Sequence, residues 1–188
     1  MFSSPGAEES PLWVFHEKGG CLMEAASVAQ NLGQGAELAG KYLTFSLGNE
    51  GYGVGILSVR EIIGVMEITA VPHTPPYIRG VINLRGKVIP VLDLRLKFNM
   101  NHKEYDERTC IIVVEVQGQT APVQVGMVVD SVSEVLNIAA GEIEPPPSLG
   151  SSSETENILG MAKAKGEVKI LLDVDRVVGE GLLQQLAS

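Results

Sequence analysis

The side chains that most often carry out catalysis are few in this sequence, and their spacing matches no catalytic pattern. The histidines, His16, His73 and His102, lie in an N-terminal segment, a Pro-flanked loop and a polar loop. None stands at metal-ligand spacing from a cysteine or a carboxylate, and no Gly-x-Ser-x-Gly elbow, phosphate-binding loop or dinucleotide fingerprint is present. We therefore expect no catalytic residue, no cofactor site and no metal site.

Asp93 and Asp173 are the carboxylates that could form an acid–base pair. Each follows a pair of apolar residues and precedes a short segment containing an arginine. An aspartate in that position is typical of a helix N-cap, where its side chain accepts hydrogen bonds from free backbone N–H groups. The sequence thus favours a protein that works by binding and is not an enzyme.

Composition excludes several classes of partner. The chain has 188 residues, a formal net charge of −9 and 5% aromatic residues, so it lacks the cationic and stacking surface that nucleic acids require. No apolar run reaches the roughly 18 residues of a membrane span, and the first residues lack the features of a secretory signal. Cys21 and Cys110 stand far apart in unlike contexts. A reducing, cytoplasmic environment without direct membrane insertion is expected.

The sequence contains an internal repeat with a spacing of about 75 residues. Residues 55–65 align with residues 128–138, so that Glu61 falls on Glu134. After a gap taken up by residues 148–156, three further segments align: 78–81 with 158–161, 86–88 with 166–168, and 91–94 with 171–174. Each copy contains short β-rich segments, a Pro-rich corner and a Gly-turned hairpin. A unit of this size suits a small β-barrel, and two such barrels would need to share a core to be stable.

The expected fold is therefore all-β, with two pseudo-repeated five-stranded barrels, short helical segments and a C-terminal helix. We expect an N-terminal extension over residues 1–40, as a tail or short helix, and a short helix or tail over residues 181–188. The first barrel is expected over roughly residues 41–108 and the second over roughly residues 109–180, although the repeat also permits a strand swap between them. Hairpins are predicted around Arg85-Gly86 and Lys165-Gly166.

The two copies differ in charge. Residues 79–97 hold five cations and one acid, whereas residues 109–162 hold seven acids and no cation. Units of opposite charge can associate head to tail, with each other or with a related protein. An unevenly decorated solvated face would give the same pattern, and the sequence leaves both explanations open.

The stretch GVINLRGKVIPVLDLR at residues 80–95 is long and specific, and it resembles the CheW family. The resemblance extends over about residues 41–178. It includes YLTFSLG at residues 42–48, the Val59-x-Glu61-Ile62-Ile63 segment, residues 126–136 and IEPPP at residues 143–147.

The resemblance implies two SH3-like barrels and a chemotaxis scaffold that joins a histidine kinase to the cytoplasmic tips of chemoreceptors. The partners that it implies are the kinase's regulatory domain, the receptor tips and possible copies of the chain itself in rings. The implied location is at receptor arrays beneath the inner membrane. Alternatives are a related coupling protein for twitching motility or a second-messenger output and, from another class, a ligand- or nucleic-acid-binding β-barrel.

Carried over residue by residue, the resemblance places the kinase-facing surface around Val59, Glu61 and Ile62. It associates a second group with receptor coupling and with the shape of that surface: Gly80, Asn83, Leu84 and Arg85. Arg85 has two interpretations. It could anchor a partner through its guanidinium group, or it could cross-link the two barrels or hold backbone carbonyls.

Overall fold

The computed structural model describes residues 36–118, 120–146 and 155–179, which form two sheets joined by turns and short helical segments. The strands of the first half are β1 (Gly40–Leu47), β2 (Glu50–Gly55), β3 (Val59–Gly64), β4 (Ile78–Leu84) and β5 (Lys87–Asp93). Those of the second half are β6 (Cys110–Gln117), β7 (Pro122–Val129), β8 (Ser131–Ile138), β9 (Ile143–Glu144), β10 (Ile158–Ala164) and β11 (Glu167–Leu172). Helix α1 (Leu94–Lys97) follows β5, and helix α2 (Val174–Val178) follows β11.

The strands are exchanged between the two halves of the chain. One sheet has the order β3-β6-β7-β5-β4, and the other has the order β8-β1-β2-β11-β10-β9. We call the first sheet the first barrel and the second sheet the second barrel. Of the two arrangements that the repeat permits, the structure has the strand swap, because β1 and β2 pair with strands of the second half and the barrels do not follow a contiguous division at residue 108. Each barrel takes two of its strands from the other half of the chain. The parallel pairs β5–β7 and β11–β2 join these strands to the rest of each sheet.

Three groups of buried side chains explain why the two barrels stay together. One lies within the first barrel around Ile82 and Ile111, and one lies within the second barrel around Tyr42 and Leu171. The third and largest joins side chains from both sheets, including Phe45, Leu47, Val54, Leu92, Ile112 and Met127. Because this shared core belongs to neither barrel alone, separating the barrels would expose it to water.

Both predicted hairpins are present, and their turns have the same backbone conformation. Arg85 and Gly86 have φ angles of +51° and +85°, and Lys165 and Gly166 have φ angles of +53° and +80°. Positive φ at both central residues is the signature of a type I′ turn, which matches the twist of the strands on either side.

A β-bulge in each barrel places a glycine against the Pro-rich corner that precedes the hairpin. Gly80 has a φ of +138°, and a Cβ there would collide with the carbonyl oxygen of Thr69. At the equivalent position, a Cβ on Gly160 would lie 2.9 Å from the carbonyl oxygen of Glu144. Thr69 also forms an isolated bridge with Val81, so the corner is hydrogen-bonded to β4 just beyond the bulge.

The two predicted N-caps are also present. The Asp93 carboxylate accepts hydrogen bonds from the backbone N–H groups of Arg95 and Leu96, and Asp173 does the same for Asp175 and Arg176. These aspartates therefore start the two helices that leave β5 and β11.

Other sequence predictions concern the ends of the chain. Residues 36–38 are helical, and the Leu38 side chain packs on the second-barrel core, so the predicted extension over residues 1–40 ends within the fold. Residues 1–35 and 181–188, with the predicted tail and C-terminal helix, lie outside the described residues. No helix within the described ranges is long and apolar enough to cross a lipid bilayer.

Candidate protein-interaction site

The predicted site is built around an ion pair that spans the two edges of the first barrel. Glu61 lies on β3, one edge strand of the sheet, and Arg85 lies in the turn after β4, the other edge strand. The Arg85 guanidinium group donates to both carboxylate oxygens of Glu61, at 3.2 and 2.8 Å. Among the described residues, the hydrogen bonds of the Arg85 side chain go to Glu61, and both residues belong to the first barrel.

The exposure of the pair leaves it accessible to a partner. The Arg85 side chain is 77% exposed and that of Glu61 is 26% exposed. An ion pair this exposed contributes only about 0–1 kcal/mol to folding. The Arg85 guanidinium group keeps donors that can face a partner acceptor while two of its N–H groups stay on Glu61.

Three further predicted residues lie close to this pair. Ile62 follows Glu61 on β3 and is 43% exposed, which makes it one of the large apolar side chains at the surface. The Asn83 side chain accepts a hydrogen bond from Gly86 N–H at 2.9 Å and so fixes the turn that carries Arg85. Leu84 packs against the first-barrel core and anchors the same turn from below. Successive residues of a strand point to opposite sides of the sheet, so Ile62 lies on the other side of β3 from Glu61. We call the edge of the barrel that carries Glu61, Ile62 and Arg85 the first-barrel face.

The two remaining predicted residues pack against other parts of the fold. Val59 packs against the shared core at the start of β3. Gly80 lies at the bulge against Thr69, where no side chain fits.

A second ion pair borders the first-barrel face. The Arg60 guanidinium group donates to both carboxylate oxygens of Glu115, which lies on the neighbouring strand β6. This hydrogen-bonded contact lowers the pKa of Glu115 and raises the pKa of Arg60. Both side chains therefore stay charged near neutral pH, so β3 carries fixed charges at the two positions that precede Ile62.

The second barrel carries an equivalent face that the sequence prediction missed. Glu134 on β8 pairs with Lys165 in the turn between β10 and β11, with both oxygens 2.6 Å from the ammonium nitrogen. Val135 is 48% exposed and occupies the position of Ile62. We call this surface the second-barrel face. The repeat alignment could have revealed it, because Glu61 aligns with Glu134 and Arg85 with Lys165.

Two other features were not predicted from the sequence. Arg95 at the start of α1 forms an ion pair with Asp130, which lies between β7 and β8. Leu57, in the 3-10 turn that joins β2 to β3, is 89% exposed. Both lie where the chain crosses from one barrel to the other.

The arrangement is suited to binding. Within residues 36–118, 120–146 and 155–179, no group of three or more His, Cys, Asp or Glu side chains is arranged to hold a metal ion. What the described surface offers is paired charges beside exposed aliphatic side chains, a composition that suits contact with another protein.

Comparison with known proteins agrees with this geometry. A family model described as the CheW-like domain matches residues 41–181. The chain belongs to the CheW family. The chemotaxis protein CheW of Klebsiella aerogenes is 40% identical over 144 residues, which cover 77% of this chain and 84% of that protein. The protein FrzA of Myxococcus xanthus is 33% identical over 126 residues, which cover 67% of this chain and 76% of that protein.

A solved structure supports the same conclusion. The crystal structure of the scaffolding protein TtCheW from Thermoanaerobacter tengcongensis aligns with a TM-score of 0.67 at 37% identity, covering 74% of this chain and 92% of that chain. The predicted all-β fold of two SH3-like barrels with a shared core is confirmed, with a sixth, two-residue strand, β9, added to the second sheet. As a CheW family member, the chain is a non-enzymatic chemotaxis scaffold that couples receptors to a kinase.

Proposed function

We propose that the chain bridges two kinds of protein through separate surfaces: a kinase regulatory domain on the first-barrel face and chemoreceptor tips at a junction between the barrels. The observation that carries this proposal is the separation of the two surfaces. The first-barrel face lies within one sheet, whereas exposed Leu57 lies on the crossing between the sheets.

The first-barrel face has the composition of a binding site for a protein with a related barrel. Ile62 supplies an apolar contact, and the Glu61–Arg85 pair at the same edge of the barrel supplies fixed charges that orient a partner. Val59 and Leu84 hold the strand and the turn beneath this surface, and Gly80 and Asn83 fix their backbone shape.

The receptor-facing surface is the crossing at Leu57. The Leu57 side chain is 89% exposed, so folding buries little of its apolar surface. A helix that packs on it would bury that surface and gain apolar contact. Its neighbours Ile56 and Val59 are half-buried against the shared core, so the crossing rests on a rigid base. A receptor helix bound here would touch both barrels and could change their relative arrangement.

The second-barrel face supports a further part of the proposal, the assembly of chains into rings. A chain with similar faces at two barrels can bind head to tail, either to kinase domains or to copies of itself. Charge asymmetry contributes less to this assembly than the sequence indicates, because four of the five cations in residues 79–97 have internal contacts, among them Arg85 with Glu61. Arg79 lies over the Tyr105 ring, Lys97 lies over the Tyr77 ring, and Arg95 pairs with Asp130. Such rings would place the protein at receptor arrays beneath the inner membrane.

A crossed pair of variants tests the proposal. Glu61→Lys puts a second cation against Arg85 and reverses the charge beside Ile62, so affinity for the kinase regulatory domain should fall roughly 30-fold or more. Leu57→Ser should weaken binding of a receptor-tip fragment by about 10-fold or more. Each variant should leave the other partner's affinity within about twofold, as measured by calorimetric titration.

Matched controls separate binding from folding. Lys163→Glu reverses a charge in an exposed ion pair of the second barrel, and Val71→Ser removes another exposed aliphatic side chain. Both controls and both test variants should unfold within about 0.5 kcal/mol of the wild type. If Glu61→Lys and Leu57→Ser each left both affinities unchanged, or weakened both equally, the assignment of separate surfaces would be wrong.

A further inference from the structure

The repeat relates two junctions between the barrels, and each junction is built from three equivalent positions. The first position is the crossing residue, Asp130 in one junction and Leu57 in the other. The second is the second residue after the helix cap, Arg95 in one and Asp175 in the other. The third lies at the end of a strand: in one junction it is Gly48, which follows β1, and in the other it is Gln117, the last residue of β6. This equivalence follows from the pairing of Val91 with Gly126 and of Leu171 with Gly53.

At the first junction these three positions are tied together, and we call it the closed seam. The Arg95 guanidinium group contacts the Asp130 carboxylate, and the same Asp130 oxygen accepts a hydrogen bond from Gly48 N–H at 2.8 Å. Arg95 also donates to the carbonyl oxygen of Asn101 at 3.0 Å. Asp130 N–H in turn donates to the carbonyl oxygen of Ser46 at 3.1 Å. Strands and turns from both barrels therefore meet on one ion pair.

At the second junction the ion pair is missing, and we call it the open seam. Asp175 occupies the position of Arg95, and its carboxylate accepts a hydrogen bond from Gln117 N–H at 2.8 Å. The backbone N–H group at the strand end is therefore satisfied, as Gly48 is by Asp130. Leu57 occupies the position of Asp130, and its aliphatic side chain cannot pair with Asp175 and is exposed.

We infer that Arg95 and Asp130 are positioning residues for receptor binding: their ion pair locks one seam between the barrels, so that a receptor helix can enter only at the other. This inference rests on the proposed function, since it specifies how the receptor site is selected. The lock also fixes the angle between the barrels at which Leu57 and its neighbours are presented to the helix.

The burial of the ion pair makes this role physically reasonable. The side chains of Arg95 and Asp130 are only 16% and 14% exposed, whereas the first-barrel pair of Arg60 and Glu115 is 47% and 28% exposed. Water screens a sheltered pair less than an exposed one. Removing either partner leaves the other charge sheltered without compensation, which favours a changed arrangement of the two barrels.

A distance measurement between the barrels tests the lock directly. Spin labels at Val88→Cys and Val168→Cys, in a Cys21→Ala and Cys110→Ala background, report on exposed, equivalent positions of the two barrels. We expect one narrow distance distribution in the otherwise unchanged protein. Asp130→Asn, which keeps an acceptor for Gly48 but removes the charge, should broaden or shift it. Arg95→Gln should do the same, and Arg95→Lys should restore most of the narrow distribution.

Binding is then measured on the same variants without labels. Asp130→Asn and Arg95→Gln should weaken the binding of a receptor-tip fragment by roughly 3- to 30-fold and change the affinity for the kinase domain by less than twofold. Arg60→Gln is the matched control, because it removes an exposed ion pair within one barrel, and it should change neither the distances nor the receptor affinity.

The outcomes distinguish the inference from the function on which it rests. If the wild type failed to bind the receptor-tip fragment or the kinase domain, the proposed function would be wrong. If the wild type bound both, but Asp130→Asn and Arg95→Gln kept the wild-type distances and receptor affinity, the positioning role alone would be overturned. Should Asp130→Asn fail to fold, Arg95→Gln still decides, because it leaves Asp130 in place to accept from Gly48.

Discussion

At the scale of single residues, the two barrels use the same positions for different purposes. Glu61 and Glu134 both pair with a cation in a hairpin turn, and that cation is Arg85 in one case and Lys165 in the other. An arginine presents a planar fork of donors, whereas a lysine presents a compact charge. We infer that the first-barrel face can bind a carboxylate or carbonyl group with more geometric selectivity than the second-barrel face.

Gly80 provides a residue-scale prediction about stability. Gly80→Ala should destabilise the fold by about 3 kcal/mol, because the new Cβ meets the Thr69 carbonyl oxygen at a φ that side chains rarely adopt. Gly64→Ala is the matched control, since a Cβ on Gly64 has no neighbour within 4 Å. Chemical denaturation of both variants checks this, and equal losses for the two would show that the close approach at Thr69 relaxes at little cost.

At the scale of elements, local signals in the sequence were sufficient to predict the hairpins and the helix caps. A Gly-containing turn between two apolar runs predicts a hairpin, and an aspartate before a short helix predicts a cap, because each depends on neighbouring residues only. Both kinds of element are confirmed in both repeats. The partners of Arg85 and Arg95 could not be predicted in this way, because they lie 24 and 35 residues away along the chain.

The two caps should differ in strength. Asp93 is buried and also accepts a hydrogen bond from the Tyr105 hydroxyl group at 3.3 Å, whereas Asp173 pairs with the exposed Arg176 side chain. Asp93→Ala should therefore cost about 2–3 kcal/mol of stability and Asp173→Ala about 1 kcal/mol. Urea unfolding of the two variants measures the difference.

Tyr105 supplies an independent readout of the Asp93 cap. Burial and the nearby Asp93 carboxylate raise the pKa of Tyr105, so Asp93→Ala should bring that pKa closer to its ordinary value. An ultraviolet titration follows this change. Equal stability losses in the two cap variants, together with an unchanged Tyr105 titration, would count against the stronger cap at Asp93.

At the scale of the whole molecule, the repeat predicts the barrels but not which strands complete them. The alignment of residues 55–65 with residues 128–138 is equally compatible with contiguous and exchanged units, because equivalent strands have similar apolar patterns. In the structure the parallel pairs β5–β7 and β11–β2 complete the two sheets, and side chains from both sheets pack into the shared core.

The shared core predicts that the two barrels unfold together. Leu171→Ala creates a cavity in the second-barrel core and should cost about 2–5 kcal/mol. The slowest-exchanging amides of β6 in the first barrel should lose the same amount of protection free energy, because global unfolding governs the exchange of the slowest amides in both sheets. Calorimetry should show a single transition. Two resolved transitions, or undiminished protection of β6, would mean that each barrel is stable by itself.

The exchange of strands also has a consequence for synthesis on the ribosome. The hairpin of β1 and β2 emerges early, but its sheet neighbours β8 and β11 emerge about 80–120 residues later. At roughly 5–20 residues per second, the nascent chain carries this apolar hairpin without its partners for several seconds or more. Contacts so distant along the chain also slow folding. The first barrel can assemble once β7 has left the exit tunnel, so we expect it to form before the second and to present its unfinished side to chaperones until β11 arrives.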